Sequence, residues 1–150
     1  MNALLMMGCP ELPVQTAAAL YIANRLNREG FEVIAAGNNA AISLLLNSDP
    51  DRHYVKKVLD LDRCIANLAE KKMEFDLCFV FIHSDSGISY LATVKSLSKA
   101  KTVAIIFGKE IAPLIEASGD SIIMAAKAVH NPTPLRAKID GVKSWAALMK

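Results

Sequence analysis

A three-layer α/β/α domain, built on a doubly wound and mostly parallel sheet of about five to six strands, is what this sequence predicts. Short apolar runs alternate with segments of helical periodicity along the whole chain. Runs at residues 31–36, 75–82 and 102–107 hold almost nothing polar, as strands covered on both faces do. Each of them ends in a turn drawn from Gly, Asn, His, Ser or Lys, the composition of a strand handing over to a helix. With 150 residues the chain fits one domain, 1–150, able to bury about two thirds of the surface its unfolded form exposes.

The elements follow in order. Leu4, Leu5, Met6 and Met7 form the first strand, and GCPELPVQ, residues 8–15, turns it into a helix over 14–29 with Ala18, Ile22 and Leu26 on one stripe. Pro10 and Pro13 suit a helix start, where a missing N–H costs nothing, and Gly30 stops the helix. The second strand, Phe31 to Ala36, ends at Gly37, Asn38 and Asn39, which cap a helix over 40–47. SDPDRHY, 48–54, is surface turn chemistry, with His53 read as solvated, and Val55 to Leu59 makes a short third strand near a sheet edge. Asp60 or Asp62 then caps a helix that carries Cys64, Ile65, Leu68 and Ala69.

FDLCFVFI, 75–82, is the strongest strand and belongs at the centre of the sheet. HSDSG follows, with Ser86 as N-cap of a helix from about Ile88 to Leu97. Residues 102–107 make the next buried strand, and Gly108 and Lys109 lead into a short helix that ends near Ser118 and Gly119. Residues 121–129 fit a last strand. HNPTPLR, 130–136, repeats the cap-then-proline device, and Leu135, Ile139, Val142, Ala146 and Met149 mark one face of a final helix, as core packing or as a homodimer seam.

Composition excludes several classes. Apolar residues make up 53% against 21% charged, so disorder is excluded and the helices are expected to pack on the sheet or on a partner subunit. The net charge is only +2, and Lys56, Lys57 and Lys71, Lys72 are isolated pairs without interleaved aromatics, so nucleic acid is not an expected partner. Cys9, Cys64 and Cys78 form neither a CxxC nor a zinc-finger spacing and point to a reducing cytoplasm. The first apolar stretch has no basic region before it and is too short for a signal peptide or a membrane span. A cytosolic protein with no membrane partner is expected.

In a doubly wound fold the strand-end turns open on one edge, and the ligand crevice lies where successive strands diverge to opposite sides of the first. The cofactor-binding candidates there are Gly8, Cys9, Glu11, Gln15, Asn38, Asn39, Asp85, Ser86, Asn131, Thr133 and Arg136. Cys9, His83 and His130 are the catalytic candidates, since a thiol near a helix start and beside an imidazole is an activated nucleophile. A Cys-phosphatase loop is rejected, because Gln15 stands where its arginine would be, six positions after the cysteine. A dinucleotide site of the usual kind lacks both its spaced glycines and its acidic residue after the second strand. Cys9, His83, His130 and a carboxylate have metal-ligand chemistry but no ligand-pair spacing, so no metal site is assigned.

At GCPELPVQ, GFEVIAAGNNAA and HNPTPLR the chain resembles a small family of proteins from methanogenic archaea, classed as a domain of unknown function. The resemblance covers nearly the whole length and implies a Rossmann-like fold. It implies no activity, substrate or cofactor and assigns no residue a role. The expected function is binding of a small anionic or nucleotide-like cofactor of unknown identity. The alternative is a non-catalytic accessory or assembly subunit working through protein contacts.

Overall fold

Six parallel strands enter one sheet in the order β3-β2-β1-β4-β5-β6. The computed structural model describes residues 1–150. The elements are β1 Asn2–Met6, α1 Val14–Arg28, β2 Glu32–Gly37, α2 Asn39–Ser48, β3 Lys57–Asp60, α3 Leu61–Ala69, β4 Leu77–Ile82, α4 Asp85–Leu97, β5 Lys101–Ile106, α5 Ala112–Ala117, β6 Ile122–Ala125 and α6 Thr133–Asp140. A 3₁₀ turn, Ala146–Met149, follows. Every strand is followed by a helix because parallel neighbours need a crossover connection.

The period-two alternation of the strands sorts the core into two layers. Ala3, Leu5, Phe79, Phe81, Val103 and Ile105 face α1, α2, α6 and the C-terminal segment. Leu4, Met6, Cys78, Val80, Ala104 and Ile106 face α3, α4 and α5. β4 lies between β1 and β5 with all six residues buried, the central position its sequence predicts. Nearly all of the apolar excess is used inside this chain: only Met1 and Leu44 remain as exposed large hydrophobic residues.

Three expected elements differ, the first being β6, which stops at Ala125 rather than running to Val129. α4 begins at Asp85, with Ser84 rather than Ser86 as its N-cap. Gly87, which reads as turn chemistry, sits inside the helix because α4 lies so close to β4 that a Cβ there would meet the Ile82 Cα at 2.9 Å. The final helix is shorter than its stripe. α6 stops at Asp140 with Gly141 as C-cap, and the chain then turns so that Trp145, fully buried, meets Phe79 edge-on with ring centroids 5.0 Å apart. Leu135 and Ile139 are fully buried, and Val142, Ala146 and Met149 pack partly buried on the same core, so the stripe packs within this chain.

Candidate functional site

The strand order reverses at β1. The chain goes out through β2 and β3 on one side, then returns to add β4, β5 and β6 on the other. The place where an open α/β sheet puts its ligand crevice therefore lies between the carboxyl ends of β1 and β4, bordered by the loop after Met7 and the short link before α4.

Gln15 builds the first of these loops. It lies in the first turn of α1, 1% exposed, and its side chain turns back on the strand end. Gln15 Oε1 accepts from the Gly8 N–H at 3.1 Å, and Gln15 Nε2 donates to the Gly8 carbonyl at 2.9 Å. Both backbone polar groups of the buried Gly8 are thus satisfied by one side-chain amide, the reciprocal geometry an amide permits and an arginine would not. Gln15 positions the loop and is not free to touch a ligand.

His83 ties the second loop to the first. Its Nε2 lies 3.0 Å from the Cys9 carbonyl oxygen, and because a carbonyl only accepts, Nε2 carries the proton and donates. Its Nδ1 has no partner in the protein. The ring rests on Phe107, centroids 5.5 Å apart. His83 thus engages the backbone of Cys9 rather than its thiol, which corrects the expectation of an imidazole-activated sulfur. Cys9 is exposed and lies outside the first turn of α1, whose N-cap is Pro13. By contrast, burial pushes the Cys64 thiol up to about 11, and burial followed by the neighbouring Cys64 pushes Cys78 higher still. Those two are inert core groups.

The joined loops leave donors open. The backbone N–H groups of Cys9, Leu12 and Ser84 donate to no acceptor in the protein. Ser84 and Ser86 share a hydroxyl contact at 2.9 Å, and Asp85 is exposed at the start of α4, where its charge suits the helix dipole. Glu11 is exposed at the mouth. On the β2 side Asn38 is occupied as the α2 cap, accepting from the Ala41 N–H at 2.8 Å, while Asn39 remains exposed.

The remaining candidates are placed apart. After β6 the chain bends back so that Ala128 bridges Gly108, whose φ of +117° only glycine tolerates without strain, and Val129 accepts from the Val14 N–H. His130 and Thr133 are exposed beyond this bend, and Asn131 accepts from the Thr133 N–H at 3.1 Å. Arg136 stacks on the Tyr21 ring at 4.5 Å in the outer helix layer and lies 3.7 Å from Asp140, away from the crevice. Nowhere do three or more His, Cys, Asp or Glu side chains converge as metal ligands do. No helix is long and apolar enough to cross a membrane.

Asp49 and the amino-terminal edge escaped the sequence reading. The Asp49 carboxylate, 4% exposed, accepts from the N–H groups of His53, Tyr54 and Val55 at 2.7, 3.0 and 3.0 Å. Asp in SDPDRHY signals such a turn, but Asp49 and Asp51 both stand there and local sequence does not choose between them. The loop it organises walls the largest concavity of the molecule, about 710 Å³, which opens beside the starts of β2 and β3 and not at the crevice.

A six-stranded parallel sheet in this order, with helices on both faces and the strand order reversing at β1, defines a Rossmann-like α/β protein. Residues 4–142 match the family described as "Domain of unknown function (DUF1890)", and the chain belongs to that family. It is 36% identical over 140 residues to the uncharacterised protein MJ0452 of Methanocaldococcus jannaschii, covering 90% of this chain and 92% of that one. It is also similar to the solved structure of MT0777, with a TM-score of 0.85 at 36% identity over 93% of this chain and 95% of the other.

Proposed function

We propose that this protein is a cytosolic domain that binds a small anionic or nucleotide-like cofactor in the crevice between the carboxyl ends of β1 and β4. The observation that carries the reading is the pair of loops at the strand-order reversal, fixed to each other by His83 and to α1 by Gln15, with the N–H groups of Cys9, Leu12 and Ser84 unengaged. Preorganised backbone donors at a strand-end crevice suit an anionic group without requiring a cationic side chain.

Native mass spectrometry tests this on protein purified from its host or exposed to host lysate, compared with the denatured mass. A reproducible non-covalent mass excess is expected. It should vanish in Cys9→Trp, which fills the mouth from an exposed position, while circular dichroism stays unchanged. A bare polypeptide, or an excess that survives in Cys9→Trp, would overturn the reading. An accessory role through protein contacts is the second reading, and a charged surface rather than an apolar face favours it.

A further inference from the structure

We propose that the edge at the starts of β2 and β3 is a docking surface for an extended acidic segment of a partner protein, added as a strand beside β3. The proposal is independent of the crevice, which lies at the other end of the sheet.

β3 is an outermost strand that pairs only with β2. The polar backbone groups on its far side are the template on which another extended chain pairs. The 710 Å³ groove at its start is continuous, through Lys56 and Lys57, with a depression of about 340 Å³ that runs along β3 itself. Arg28, Lys56 and Lys57 line the groove, and Arg52 joins the two lysines in the depression. The single acid among the lining residues is Glu32, and Lys57 neutralises it at 2.5 Å. Arg28, Arg52 and Lys56 have no ion-pair partner. Beneath the charges the depression offers Ile34, Val58, Leu59 and Met73 for alternate side chains of an added strand.

The surface is also held in shape. Asp49 fixes the backbone of His53 to Val55, Asn27 Nδ2 donates to the Tyr54 carbonyl at 2.8 Å, and Arg52 is held at a φ of +50°. A groove this open and this polar suits a peptide better than a small molecule, which enclosed apolar pockets favour. Lysines on an edge strand ordinarily prevent self-pairing. Here they bar a second copy of this basic edge, and the same charge selects an acidic partner.

The test is fluorescence anisotropy of the full chain with a short dye-labelled peptide of alternating Glu and Val, with hydrogen exchange followed at Lys57–Asp60. Saturable binding is expected, weakened about tenfold in the double variant Arg28→Glu, Lys56→Glu and by less than about twofold in Lys99→Glu, a distant cationic control. Exchange in β3 should slow when peptide is added. Circular dichroism checks that the variants fold. No saturable binding, equal weakening by Lys99→Glu, binding without protection of β3, or tighter binding of a single-stranded oligonucleotide in the same groove would each overturn the proposal. So would β3 protection that grows with protein concentration alone, which would assign the edge to a second copy.

Discussion

Gln15 shows how much one buried side chain decides at the crevice. Its amide meets the N–H and the carbonyl of Gly8 together, so that the loop leaves β1 in one fixed conformation. Gln15→Leu keeps the volume but strands both groups out of reach of water, and an unsatisfied buried group costs about 1–3 kcal/mol. We expect a stability loss of about 2–3 kcal/mol, read as a lower urea midpoint at unchanged slope. A loss below about 0.5 kcal/mol would mean that water replaces the amide and that the loop is not held by it.

At the scale of elements, the C-terminal segment behaves as a strap whose latch is Glu29, at the end of α1. Its carboxylate accepts from Ser144 Oγ at 2.7 Å and from the N–H groups of Trp145 and Ala146 at 3.0 and 3.1 Å, capping the 3₁₀ turn from another element. Arg25 reinforces the latch, bonding Asp140 and the Val142 carbonyl, each at 2.8 Å. Burial works to raise the Glu29 pKa, but the Ser144 hydroxyl, the two backbone donors and the Arg25 charge outweigh it and hold the group below its ordinary value of 4.5. A folded pKa below the unfolded one means that the stabilisation is present above about pH 4.5 and is lost as the pH falls through the lowered value. Trp145 is the only tryptophan and reports directly. Its fluorescence should move to longer wavelength on acidification below about pH 4.5, and Glu29→Gln should flatten that change. An identical acid profile in Glu29→Gln would assign the transition to other carboxylates.

At the scale of the whole molecule, the question is where the apolar excess goes. Leu135 and Ile139 sit at 0% exposure in the same cluster as Trp145 and the odd-numbered residues of β4. Ile139→Asp would place an unpaired carboxylate in that core, among the most destabilising of single changes. Loss of the cooperative unfolding transition is the expected outcome. A folded protein with an altered assembly state by light scattering would instead make the α6 stripe an interface.

The fold class, the six-strand alternation, the central β4 and the edge position of β3 were legible in sequence because each rests on local signals: apolar runs of strand length, helical spacing and turn residues. The strand-end turn at Gly8 was legible for the same reason. Partners far apart in sequence were not. That Gln15 serves Gly8 and not a ligand, that His83 meets the Cys9 carbonyl and not its sulfur, and that Arg136 stacks on Tyr21 follow from how helices seat on the sheet, which periodicity does not encode. The same limit hid Gly87, whose need is contact with Ile82 rather than a turn, and the inward swing of Trp145 after Gly141. The sequence by itself determined the layers and the edge on which the strand-end turns gather, because burial patterns are written residue by residue. Only the tertiary structure decided which polar groups are consumed in holding the loops and which are left free, because a hydrogen bond depends on where two distant atoms come to rest.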